Sequence, residues 1–174
     1  PAVIIQAGCS FIYTPLVAPL TERFAEARWS DFKKMVLTAL AGILGFAVCM
    51  FIGAALLGAK DVLAIDIDPV AVKVAAENVA HNNLTEKVTC VQGNLLDKHS
   101  ETCDLCVANI IADVICGFAA PLKNHITPGG MFICSGIIRE REQDVLDALA
   151  AAGYELVEER RKGEWVAMIS RRPA

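Results

Sequence analysis

Charge is scarce in this chain, and basic charge is scarcest. Only 21% of the 174 residues are charged, and they sum to −4. With a pI near 5.4, that excludes general nucleic-acid binding through a basic surface. The arginine pairs Arg160-Arg161 and Arg171-Arg172 are local and read as solvated strand ends. The three histidines, His81, His99 and His125, have no metal-ligand spacing. Cys103 and Cys106 form a lone C-x-x-C, without the second pair or neighbouring histidines that zinc requires. A redox pair belongs at a helix N-terminus rather than inside a strand-like run. The seven cysteines are an odd number without the spacing of a disulfide scaffold. Cys90, Cys106 and Cys134 read as small buried hydrophobes, and reduced thiols fit a cytoplasmic location. There is no internal repeat, no low-complexity tract, no G-x-G-x-x-G, and no basic region ahead of an apolar run at the N-terminus.

Apolar residues are plentiful instead: 55% of the chain, with a mean hydropathy of +0.46. A parallel sheet covered on both faces reads this way, because its strands are buried on both sides. Residues 35–59 carry no charge over 25 positions, long enough to cross a bilayer. The reading preferred here is a strand at 35–40, a turn near Ala41-Gly42 and a buried helix to Leu57. Lys60-Asp61 leads directly into the next strand without a linker.

The most informative stretch is 61–83, DVLAIDIDPVAVKVAAENVAHNN. An apolar strand, 62–65, ends on Asp66. Asp68 is placed to cap a helix, and Pro69 fits its first position. Val70, Val74 and Val79 recur at helical spacing until Asn82-Asn83. The strand–turn–helix puts Asp66 at the carboxyl edge of a sheet, where open α/β sheets bind ligands. A carboxylate there can accept both hydroxyls of a ribose, so the stretch points to a nucleoside-bearing cofactor.

Further strands are expected at 87–92, 104–108 and 131–135, with helices at 112–126 and 139–152. The first of these helices should stop at the breaker Thr127-Pro128-Gly129-Gly130. Residues 154–161 and 164–171 alternate about Lys162-Gly163 as a β-hairpin. Repeated strand–helix units imply an α/β, doubly wound, mostly parallel sheet. Residues 1–34 form an N-terminal lead-in, with strand character at 2–5 and helix character at 19–27. Residues 35–174 form the main domain.

VLAIDIDP at 62–69, VQGNLLD at 91–97, DLCVANIIAD at 104–113, LKNHITPGGMFICSGII at 122–138 and GEWVAM at 163–168 resemble, in order and spacing, the class I methyltransferases that use S-adenosylmethionine. The closest likeness is to the family that methylates ribosomal large-subunit protein eleven. It is close over 58–172 and poor over 1–57. The resemblance implies a Rossmann-like seven-stranded sheet whose last strand is antiparallel, S-adenosylmethionine as cofactor, and a ribosomal protein as partner. It also implies a separate substrate-gripping domain that these residues do not include. The family's ribose acid falls on Asp66, its adenine-edge acid on Asn94, and its asparagine beside the incoming amine on Asn109. An amide at each of the last two can still accept a hydrogen bond. The resemblance assigns no catalytic acid or base and no metal.

The chain departs from the family pattern at 37–46, LTALAGILGF, where an acid-glycine loop is expected. FIYTPLVAP at 11–19 likewise lacks the expected threonines and histidine. An N-methyltransferase acting on a protein competes with a non-catalytic relative kept for binding or assembly. A nicotinamide dehydrogenase would want the missing glycine motif, and a membrane-anchored protein would use 35–59. The altered loop and the lack of a substrate domain predict weak or absent methylation by a polypeptide of these 174 residues. The check is methyl incorporation into the ribosomal protein, and robust incorporation would refute the expectation.

Overall fold

The computed structural model describes residues 2–7, 55, 59–95, 100 and 102–174. Seven strands form one sheet in the order β3-β2-β1-β4-β5-β7-β6. They are β1 (Ala2–Ala7), β2 (Asp61–Asp66), β3 (Val88–Gln92), β4 (Cys103–Asn109), β5 (Ile126–Ile138), β6 (Glu155–Lys162) and β7 (Trp165–Arg171). β1 to β5 run parallel, while β7 is antiparallel to both β5 and β6. The doubly wound sheet and terminal hairpin expected from the sequence are therefore present. The central strand of the five parallel ones, β1, comes from 2–7, inside the stretch read as a lead-in. The strand and helix expected within 35–57, and the helix expected at 19–27, lie outside the described residues, apart from a buried helical position at Ala55. Among the described residues no helix is long and apolar enough to cross a membrane.

Helix α1 (Pro69–His81) follows β2, α2 (Ala112–Leu122) follows β4, and α3 (Glu142–Ala151) follows β5. Side-chain alternation sorts the core by face. Cys106, Ala108, Phe132, Cys134, Val166 and Met168 pack with Ile115, Phe118 and Leu122 of α2 and Val145 and Leu149 of α3. Phe132 anchors this layer, with Phe118 edge-on at 6.3 Å and Tyr154 at 6.0 Å. Val62, Ala64, Val79, Leu84 and Val88 form a second cluster that includes Ala55 and Ala59 and takes in Leu105 and Val107.

The α2–β5 junction differs from the sequence reading. The helix ends at Leu122, a 3-10 turn covers Lys123–His125, and β5 already begins at Ile126, running through Thr127-Pro128-Gly129-Gly130. Partners elsewhere in the fold explain this. Arg172 Nη1 donates to the carbonyls of Lys123, at 2.8 Å, and Ile126, satisfying acceptors left without a partner where the helix ends. The Gly129 N–H donates to the Arg172 carbonyl, and the Arg172 N–H to the Gly130 carbonyl, both at 2.9 Å. The breaker is thus stitched to the end of β7, and the surplus residues are absorbed in a register shift between Cys103 and Leu105. The arginine pairs are correspondingly not just solvated ends. Arg161 forks onto Glu142 at 2.5 and 3.0 Å and reaches Glu159 at 2.7 Å, tying β6 to α3. Of the cysteines read as buried, Cys106 and Cys134 are buried, while Cys90 is half-buried.

Two glycines should respond oppositely to alanine. A Cβ at Gly130 would lie 2.7 Å from Ile126 Cγ2, 2.9 Å from the Thr127 carbonyl and 3.0 Å from the Asp104 carbonyl. Gly130→Ala should cost about 1–3 kcal/mol. At Gly117, an exposed position of α2, a Cβ meets nothing within 4 Å. Gly117→Ala should stabilise by about 0.5–1 kcal/mol. Urea midpoints at unchanged m-value check both.

Candidate functional site

Three polar side chains singled out in the sequence stand at the carboxyl edge of the parallel strands. Asp66 closes β2 and is 9% exposed. Its Oδ1 accepts the Asp68 N–H at 2.9 Å, which fixes the turn beyond it. Asp68 in turn caps α1, its Oδ1 accepting the Val70 N–H at 2.8 Å, with Pro69 opening the helix as expected. The Gln92 side chain, at the end of β3, donates to the Ile67 carbonyl at 3.2 Å. The Gly93 N–H donates to the Asp66 carbonyl at 3.0 Å. This pins the turn after β3 to the end of β2 and leaves Asn94 exposed beside it. Ile67 is 57% exposed, an apolar surface next to the acid that sequence reading did not single out.

Asn109 closes β4. Asp66 pairs with Gln92, Ile65 with Gln6, and Asn109 with Ala7. Asp66 and Asn109 therefore flank the end of β1 at the same level, two strand spacings or roughly 10 Å apart. They also share a face: Val62 and Ala64 alternate with Asp66, Leu105 and Val107 alternate with Asn109, and all four apolar residues belong to one cluster. Ser135 Oγ donates to Asn109 Oδ1 at 3.0 Å. Beyond this pair opens a cavity of about 600 Å³ lined by Asn109, Ser135, Gly136, Trp165 to Ala167 and Arg160 to Lys162. The 37–46 loop lies outside the described residues.

Burial raises the thiol pKa of Cys90, Cys106, Cys116 and Cys134, the last to about 12. At each of these sites burial favours the protonated thiol. Cys103 Sγ donates to the His125 carbonyl at 3.3 Å. Among the described residues no group of His, Cys, Asp and Glu could hold a metal ion. The edge instead supplies hydrogen-bond acceptors, one of them charged, at fixed separations. Sequence reading missed Ser135: the glycine in CSGII signals a bulge beside it, but nothing local says that Ser135 pairs with Asn109 across β4 and β5.

The family model for ribosomal protein L11 methyltransferases matches residues 42–173. The ribosomal protein L11 methyltransferase of Carboxydothermus hydrogenoformans is 45% identical over 121 residues, covering 70% of this chain and 40% of that protein. That of Pelotomaculum thermopropionicum is 50% identical over 120 residues, covering 69% and 39%. The chain spans about two fifths of the length of these curated relatives. A crystal structure of the ribosomal protein L11 methylase from Lactobacillus delbrueckii subsp. bulgaricus superposes with a TM-score of 0.68 at 25% identity, covering 98% of this chain and 70% of that one. The central strand, 2–7, lies ahead of the stretch that the family model matches.

The capping role of Asp68 has a direct check. Asp68→Ala removes the side-chain acceptor from the first turn of α1 and should lower stability by about 0.5–2 kcal/mol. The measurement is urea unfolding of the two proteins, and an unchanged midpoint would show that the cap contributes nothing.

Proposed function

The chain belongs to the ribosomal protein L11 methyltransferase family, and on that premise we propose that it binds S-adenosylmethionine along the carboxyl edge of its sheet and serves N-methylation of a ribosomal large-subunit protein. The observation that carries this reading is the level placement of Asp66 and Asn109 on either side of β1. The acceptors and the apolar surface at this edge fit an adenosyl group. The Asp66 carboxylate suits a vicinal diol, the exposed Ile67 suits a flat base, and the Asn94 amide suits the exocyclic amine of adenine. S-adenosylmethionine bound there supplies a methyl group on a sulfonium, open to in-line displacement by an unprotonated nitrogen. Asn109 Oδ1 accepts from that nitrogen and aligns it. Such a transfer rests on proximity and orientation more than on a strong base.

The unit that carries this function takes in 35–174 together with β1, since β1 separates the two halves of the site. On the same reading the protein acts in the cytoplasm and meets its substrate without gripping nucleic acid. The relatives' names support the substrate class, and the net charge of −4 supports the absence of a nucleic-acid surface.

Asp66→Ala removes a charge-assisted hydrogen bond worth about 1.5–3 kcal/mol. Affinity for S-adenosylmethionine and for its demethylated product should fall roughly tenfold to a hundredfold. Calorimetric titration reads this directly. Asp66→Asn, which keeps an acceptor for the Asp68 N–H, should lose affinity while leaving the turn intact. Equal affinity in Asp66→Ala and the parent would place the ribose elsewhere.

A further inference from the structure

We infer that Ser135 is a positioning residue that sets the orientation of the Asn109 amide; the inference rests on the cofactor reading above. It starts from a bulge in β5. Cys134 pairs with Met168 of β7, but the next pair is Ile137 with Val166, so three steps along β5 meet two along β7. Phe132 and Cys134 face the α2–α3 layer by simple alternation, and Ile137 faces it as well, fully buried, because of the extra residue. Gly136 takes up the bulge at φ +87°, a backbone conformation that side chains disfavour.

On the other side of β5 the ladder is regular: Ser135 pairs with Asn109 of β4, in step with Cys134 and Ala108, just where the β5–β7 ladder breaks. There Ser135 makes two contacts with the end of β4. Its carbonyl accepts the Ile110 N–H at 3.2 Å, and its hydroxyl donates to Asn109 Oδ1 at 3.0 Å. The two ends of an amide have nearly the same shape but opposite polarity. A serine hydroxyl can donate to Oδ1 or accept from Nδ2, so what it fixes is the plane of the amide. With the hydroxyl donating to Oδ1, as here, the second Oδ1 lone pair is free to accept from a nitrogen in the cavity, and that nitrogen's own N–H favours this arrangement. The reverse orientation would present amide N–H groups to a nitrogen that is itself a donor. Both residues line the cavity beside Trp165 and Val166.

The test needs no turnover. Sinefungin carries an ammonium group where S-adenosylmethionine carries its methyl, whereas S-adenosylhomocysteine carries nothing there. Calorimetry on the 174-residue chain gives the ratio of the two affinities. Ser135→Ala should lower the sinefungin preference about five- to tenfold, the equivalent of one hydrogen bond, with S-adenosylhomocysteine affinity little changed. Ser135→Thr, which keeps the hydroxyl, should restore the preference. Asn109→Ala should lower it equally, and adding Ser135→Ala to Asn109→Ala should lower it no further. A parent-like ratio in Ser135→Ala, or an equal loss for both ligands, would overturn the inference and leave the cofactor reading standing. If Ser135→Ala fails to fold, Ser135→Cys replaces it, and the weaker S–H donor should give an intermediate ratio; a parent-like ratio there overturns the inference too. If the parent binds neither ligand, the cofactor reading falls and the inference with it.

Discussion

The placement of β1 between β2 and β4 is the constraint on which the rest of the site depends. Backbone pairing on both sides of one short strand fixes the relative height of the two neighbouring strand ends. Asp66 and Asn109 inherit that height, and side-chain alternation gives them the same face. A slip of one residue in either pairing would turn one side chain to the opposite face. The apolar positions behind each residue, Val62 and Ala64 on β2 and Leu105 and Val107 on β4, resist such a slip because they are committed to one cluster. Register, and hence site geometry, is held by the core rather than by contacts between the site residues.

Much of this was legible from local chemistry. The Asp68 cap, Pro69 and the Asn82-Asn83 stop gave α1 to within a residue, because each acts through its immediate neighbours. The terminal hairpin was legible for the same reason. The α2–β5 junction was not. Thr127-Pro128-Gly129-Gly130 is a sound breaker signal, yet here it lies within β5, because Arg172, far along the chain, bonds the carbonyls of Lys123 and Ile126 and pairs its backbone with Gly129 and Gly130. The central strand was visible only as weak strand character at 2–5. The reason is topological: a strand separated by so long an interval from its partner at 61–66 carries no local sign of where it will pair.

Positions in the candidate site were read correctly as far as elements go: Asp66 at the end of β2, Asn94 just beyond β3, Asn109 at the end of β4. The surroundings were not legible. Ser135 meets Asn109 from an adjacent strand 26 residues on, by a strand pairing that nothing local in either segment announces. The exposed Ile67 beside Asp66 looked like any apolar residue at a strand end. Contacts between strands decide both cases, and a periodicity argument along one strand does not see across to the next.

The distribution of charge at this edge fits the proposed chemistry. A carboxylate close to an attacking nitrogen would favour its protonated form and remove the lone pair that the reaction needs. At an effective dielectric constant near 20, unit charges 4 Å apart interact by about 4 kcal/mol, and at roughly 10 Å by less than half of that. Asp66 stands two strands from Asn109, and the group that meets the nitrogen is a neutral amide. The charged side chains that line the cavity with it, Arg160, Arg161 and Lys162, are basic and disfavour an ammonium rather than stabilise it. A neutral acceptor can orient an N–H without stabilising the ammonium over the amine to the same degree. The burial-raised thiols of Cys106 and Cys134 on the strands beneath add no charge of their own. The edge therefore separates two requirements that one residue could not meet together: strong, charged recognition of a diol, and uncharged alignment of a nucleophile.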